Sequence, residues 1–233
     1  MIYLGSKRRL AKHILPIILK NRTEGQWYVE PFCGGCNLID KVTGPRIASD
    51  VNFYLIAYFK ALQNGWLPPT EFSEDLYNKI KNNKENYPPE LVCFAGFPLS
   101  FASKFFGGYA KNNAGQRYDR AAFKNAVQQV PYVKDILFHN TEYYNLEIPA
   151  KSIIYCDPPY EGATKYKGTD SFDHTHFWQW CREKAAEGYE VYISEYNAPE
   201  DFECIFEKEQ ICNIDNKNLQ KENKIEKLFT FKK

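Results

Sequence analysis

The chain has 233 residues, enough for one domain, or one domain with an insertion, and for a buried core. Thirty basic and 29 acidic side chains leave a formal net charge of +1, so the overall field does not mark a nucleic-acid partner, and any such surface must come from local segregation of charge. No apolar run reaches the roughly 18 residues of a membrane span, the first ten residues lack a signal-peptide pattern, and seven scattered cysteines read as reduced thiols in a cytosolic protein rather than a disulfide framework.

In chain order, the first predicted element is a helix over residues 6–20, with apolar Leu10, Ile14, Leu15, Ile17 and Ile18, Ser6 as N-cap, and Pro16 as a kink or interruption. Trp27-Tyr28-Val29 reads as a buried strand and runs into Glu30-Pro31-Phe32-Cys33-Gly34-Gly35-Cys36-Asn37, a glycine loop expected to open a helix. Arg46-Ile47-Ala48-Ser49 reads as the next strand, ended by Asp50, and Val51 to Gln63 as an aromatic-rich helix. This order is the βαβ pattern of a parallel sheet. From about Gly65 to Asp135 the rhythm stops among Pro-Pro pairs and the Phe105-Phe106-Gly107-Gly108-Tyr109 stretch, which reads as an inserted subdomain. The alternation resumes with strands at Asp135-Ile136-Leu137-Phe138 and Ser152-Ile153-Ile154-Tyr155-Cys156, a helix over Phe177 to Ala186 and a strand over Glu190 to Ser194. From Gln210 the Lys/Asn/Glu-rich tail reads as a polar loop and a last strand at the sheet edge.

Chemistry concentrates at two strand ends. Asp157-Pro158-Pro159-Tyr160 follows a short apolar strand, where open α/β sheets bind ligands. The turn suits a planar amine: the Asp157 carboxylate and the Pro158 carbonyl each accept a hydrogen bond from an NH2 group, and Tyr160 stacks on the ring. The plain alternative is a proline turn that ends a strand. Asp50 lies twenty residues after Glu30, an offset at which an acid commonly holds ribose hydroxyls. The glycine loop lacks the Gly-Lys-Ser/Thr of a P-loop. Cys33-x-x-Cys36 offers zinc or redox chemistry as a minor alternative, since it has no second pair and lies inside the ligand loop, and Asp173-His174-x-His176 with Cys181 reads as a helix cap before it reads as a metal cluster.

Between Phe101 and Lys134 six basic residues (Lys104, Lys111, Arg117, Arg120, Lys124 and Lys134) face one acid, Asp119, giving a local charge of +5 interleaved with aromatics. Such a stretch is either a solvated face or a phosphate clamp. Lys7, Arg8, Arg9 and Lys12 form a second basic run.

Taken together, these motifs resemble the Dam-type DNA adenine-N6 methyltransferases, most closely their short, phage-type members. Tyr3-Leu4-Gly5-Ser6-Lys7-Arg8, Val29 to Gly35, Ser49-Asp50-Val51-Asn52, Phe105 to Tyr109, Tyr155 to Tyr160, Phe172-Asp173-His174 and Ser194 to Pro199 occur in the family's order over about the first 200 residues. The resemblance implies that Tyr3 and Lys7 close over S-adenosylmethionine, that Glu30, Phe32 and Gly34 cradle its methionine part, and that Asp50 binds its ribose. It also makes Asp157, Pro158 and Tyr160 the catalytic motif, with Asp157 near the cofactor as well. Tyr3 stands where tryptophan is common, and Cys36 where a small residue is usual.

The expected fold is α/β: a Rossmann-like S-adenosylmethionine-dependent methyltransferase sheet over residues 1–64 and 136–233, with a mainly helical target-recognition insertion over 65–135. The expected partner is double-stranded DNA, contacted by Arg8, Lys104, Lys111, Arg117, Arg120 and Lys124, with no metal and no membrane. A monomer in a bacterial or phage-infected cytoplasm is expected, with a dimer on DNA as the alternative. Cytosine-N4 methylation and a catalytically silent binding paralogue are the competing readings. A nicotinamide oxidoreductase shares the glycine loop but leaves the Asp-Pro-Pro-Tyr turn without a task.

Overall fold

Three short strands, Tyr28–Glu30, Arg46–Ser49 and Ile153–Cys156, are buried along their whole length. The structure, a computed structural model, describes residues 1–111, 117–162, 172–212 and 222–232. The chain divides into two units, one of residues 1–12 and 31–146, the other of residues 13–30 and 147–233.

In the first unit β2 (Arg46–Ser49) runs parallel to β3 (Ile136–His139), with Arg46 opposite Ile136 and Ser49 opposite His139. Among the described residues, four helices lie between them in sequence: α2 (Phe53–Gln63), α3 (Glu74–Asn82), α4 (Pro89–Gly96) and α5 (Tyr118–Val133). Asn52 starts α2, its side chain accepting from Tyr54 N. The helix is apolar around most of its girth because it packs on α4 and on β3 at once, with Phe59 stacked on Phe138 at 5.3 Å. Each such buried Phe or Leu contributes about 1.5–3 kcal/mol. Ser73 caps α3, which buries Tyr77 and Ile80 on one face, and Pro89 opens α4. From α5, the buried Gln129 amide donates to Gly35 O (3.1 Å), Cys36 O (3.2 Å) and Asp40 Oδ2 (3.1 Å), so this helix fixes the far side of the glycine loop.

The second unit holds a mixed sheet in the order β1-β4-β5-β7-β6, with β1 (Tyr28–Glu30), β4 (Ile153–Cys156) and β5 (Glu190–Glu195) parallel, and β7 (Glu222–Phe231) antiparallel to both β5 and β6 (Phe202–Cys212). Between β4 and β5, α6 (His174–Ala186) buries Phe177, Trp178, Trp180 and Cys181. The expected α/β class, parallel strands alternating with helices, is therefore present.

Several expectations change in detail. The helix over 6–20 is a 3-10 turn (Lys7–Arg9) capped by Ser6 Oγ, followed by α1 (Ala11–Ile18), which stops two residues after Pro16. No helix opens after the glycine loop; a 3-10 turn (Ile39–Lys41) stands there instead. The reason is local: Cys36 has φ +53°, and its amide closes a turn onto Cys33 O at 2.7 Å, a left-handed residue where a right-handed helix would begin. The last strand is not at the edge. It lies between β5 and β6, and β6, hidden in the sequence by Glu203, Glu207, Lys208 and Glu209, takes the outer position where exposed charge is tolerated. The polar loop expected nearby falls at residues 213–221, outside the described residues.

Candidate active site

In the first unit, the glycine loop is held from three directions. Asp50, one residue past β2, accepts Gly34 N with Oδ2 (2.9 Å) and Asn52 N with Oδ1 (2.9 Å). Burial raises its pKa to about 6, and the two backbone donors hold it below where desolvation alone would put it. Cys33 N donates to Ser49 O at 2.8 Å, tying the loop to the end of β2. The Tyr3 side chain lies on the loop so closely that a Cβ on Gly34 would come within 2.7 Å of Tyr3 Cε1, and one on Gly35 within 2.6 Å of Tyr3 Cβ. Only glycine permits that approach, and Gly34 also has φ +44°. The Tyr3 ring meets Phe97 at 5.2 Å, and the Phe32 ring meets Tyr143 at 5.3 Å. Lys7 is buried, its Nζ donating to Gly5 O at 3.3 Å. The structure thus brings Tyr3, Gly34 and Asp50 together.

In the second unit, Glu30 ends β1 fully buried and accepts from Tyr28 Oη at 3.0 Å. Asp157 and the buried Pro158 follow β4 directly. Tyr160 donates its hydroxyl to Glu226 Oε2 at 2.9 Å, and its ring meets Tyr196 edge-on at 4.7 Å and 87°. Burial pushes the Tyr160 hydroxyl pKa well up, with Asp157 and Glu226 adding to the shift, so the group stays a donor. Glu195, the last residue of β5, is 2 % exposed; its Oε1 accepts Tyr196 N (2.7 Å) and its Oε2 accepts Glu161 N (3.1 Å). Burial lifts its pKa to about 7 against these two hydrogen bonds, with the Asp157 charge contributing further. Glu195 therefore clamps the exit of the Asp-Pro-Pro-Tyr turn.

The residues expected to meet DNA divide into two sets. Lys111 pairs with Glu74 at 2.9 Å, and Arg120 with Glu71 at 3.4 Å. Arg117 grips Asp119 with two bonds (3.0 and 2.8 Å), and Asp119 also accepts Phe72 N and Arg120 N. The local +5 is thus partly offset by Glu71 and Glu74, which lie outside the segment counted. Arg8, Lys104 and Lys124 are exposed and form no ion pair among the described residues.

Sequence reasoning assigned no role to Glu195, Glu226 or Gln129. Glu195 carried a usable signal, since Glu30, Asp50, Asp157 and Glu195 all stand at or just past the C-terminal end of a parallel strand. Glu226 sits in a charge run 66 residues from Tyr160, and no spacing rule reaches it. Asp173 caps α6, its side chain accepting His176 N at 2.9 Å.

An α/β fold with acids at these strand ends, one of them holding a glycine loop, has the make-up of an enzyme that binds a nucleoside-bearing ligand. The chain belongs to the D12 class N6 adenine-specific DNA methyltransferases, whose family pattern matches residues 3–94 and 90–219. Among solved structures, SMU.472, provisionally described as a methyltransferase and complexed with SAH, is similar over 97 % of this chain at 10 % identity and a TM-score of 0.37. The chain spans about half the length of that protein, 52 %.

Proposed function

We propose that this protein transfers a methyl group from S-adenosylmethionine to the exocyclic N6 of adenine in double-stranded DNA. The observation that carries the reading is the Asp157-Pro158-Pro159-Tyr160 turn directly after β4, in a chain of the D12 family. S-adenosylmethionine supplies a sulfonium methyl, and the first unit fits such a ligand. Gly34 and Gly35, buried beneath Tyr3, add no side chain at the loop, Asp50 keeps lone pairs beyond the two it gives to amides, and Phe32 presents a partly exposed aromatic. Glu30, Tyr3 and Lys7 complete the set assigned to the cofactor.

The adenine amine is a weak nucleophile because its lone pair is delocalised into the ring. The Asp157 carboxylate and the Pro158 carbonyl accept its two N–H groups and favour the tetrahedral nitrogen, while Tyr160 stacks on a base turned out of the duplex. The nitrogen takes the methyl in line, the C–S electron pair stays with sulfur, and the methylated nitrogen then releases a proton. Residues 65–135 serve as the target-recognition segment, with Arg8, Lys104 and Lys124 on phosphates and Lys111, Arg117 and Arg120 contributing once their acidic partners are exchanged. The enzyme works as a monomer in the cytoplasm of a bacterial or phage-infected cell.

The test uses purified protein, methyl-labelled S-adenosylmethionine and unmethylated duplex DNA. Label entering DNA with wild-type protein and not with D157A supports the reading. No transfer by wild-type protein that binds both ligands contradicts it.

A further inference from the structure

We propose that Glu226 is a positioning residue that sets the plane of the Tyr160 ring for stacking on the displaced base. The inference deepens the proposed function and rests on it. Glu226 lies beyond the stretch that matches the family, residues 3–94 and 90–219, and belongs to β7 rather than to the catalytic turn. Strand register explains how it arrives there. β5 runs parallel to β4 with Ile193 opposite Cys156, so Glu195 and Asp157 emerge at the same end of the sheet. β7 runs the other way with Lys227 opposite Glu195, which brings Glu226 to that end from the opposite direction.

A tyrosine side chain turns about two bonds, and stacking on a flat base requires its ring face to be set beforehand. Glu226 Oε2 holds the hydroxyl at 2.9 Å, fixing the tip, and the Tyr196 ring packs against the body with centroids 4.7 Å apart and planes at 87°. The backbone on both sides is tied together, since Glu195 accepts the Tyr196 amide at 2.7 Å and the amide of Glu161, just past Tyr160, at 3.1 Å. Glu226 thus reaches the tip of a ring whose base is already clamped. Stacking needs the face of the ring presented to the base, and a hydrogen bond at the hydroxyl restrains that face.

The experiment first locates the methylated adenine by sequencing, then places 2-aminopurine at that position in a duplex. Fluorescence of the displaced base, KM for DNA, kcat, and affinity for S-adenosylmethionine are measured for wild type, E226A, E226Q, Y160F and E226A/Y160F. Expected are a roughly tenfold lower kcat/KM for DNA in E226A and Y160F and an altered 2-aminopurine signal in both. Affinity for S-adenosylmethionine is unchanged, E226Q recovers most of the loss because its amide oxygen still accepts, and the double variant is no worse than either single one. Additive losses in the double variant, or an E226A defect that follows cofactor affinity and that E226Q does not restore, overturn the inference while leaving the proposed function standing. A wild-type protein that methylates no DNA overturns both.

Discussion

Asp50 and Gly34 are joined by a hydrogen bond of 2.9 Å from the loop amide to Oδ2, so the acid expected to bind a ribose is also the brace of the glycine loop. Its other oxygen holds Asn52 N, and Asn52 starts α2. One carboxylate therefore links a strand end, a ligand loop and a helix start.

That arrangement has a pH signature. The folded protein raises the Asp50 pKa from 3.8 to about 6, so folding favours the protonated acid. Its contribution to stability is full below about pH 4 and is lost as pH rises through about 6. Glu195, raised from 4.5 to about 7, acts in the same direction over a slightly higher window. Urea titrations between pH 4.5 and 8 should show D50N with a flatter pH dependence than wild type and greater relative stability at pH 8. The same variant should bind S-adenosylmethionine at least tenfold more weakly, since one of the two oxygens that hold Gly34 N and Asn52 N becomes an NH2 group facing a donor. A D50N profile parallel to wild type would remove Asp50 as the source.

The close approach of Tyr3 to the loop predicts a coupled pair. G34A should cost about 1–3 kcal/mol through overpacking, read as a lower midpoint in denaturant, because its new Cβ would lie 2.7 Å from the Tyr3 ring. In a Y3A background the penalty should shrink to that of the positive φ alone. Equal penalties in the two backgrounds would show that the ring does not lie on the glycine in solution.

The basic residues should separate by effect. R117A should lower thermal stability as well as DNA affinity, because it strips the partner from Asp119, whose side chain is 4 % exposed. K104A and K124A should leave the melting temperature alone and reduce the salt dependence of DNA binding, by about 0.9 in log–log slope for each phosphate that is no longer neutralised. Melting curves and DNA titrations at several salt concentrations decide it. A K124A protein with an unchanged salt slope would take Lys124 out of the DNA surface.

The parts legible in the sequence were those set by local pattern. β2 was read with its observed ends, and β4 and β5 to within a residue, because each carries a short apolar run: Ile47-Ala48, Ile153 to Cys156 and Val191 to Ile193. Asp50, Asp157 and the glycine loop were visible for a related reason: each lies next to such a run. What escaped depends on distant partners. Cys36 turned a helix start into a tight turn, and its carbonyl is held by Gln129, 93 residues away. The β6–β7 hairpin looked like a polar tail because its outer strand is charged on the exposed side. The cation excess of 101–134 looked unopposed because its counter-charges, Glu71 and Glu74, lie earlier in the chain.

D157A and D157N should keep cofactor binding measurable while turnover falls by about a hundredfold to a thousandfold or more, the size expected for losing a positioned acceptor at a site of developing charge. Single-turnover methyl transfer alongside cofactor titration checks this. Near-normal turnover in D157A would reject the assigned role.

The most direct test of the whole account is the identity of the product. Wild-type protein is incubated with S-adenosylmethionine and unmethylated duplex DNA, and the DNA is digested to nucleosides for mass spectrometry. The account predicts N6-methyldeoxyadenosine. N4-methyldeoxycytidine, or no methylated nucleoside despite bound cofactor and DNA, would contradict it.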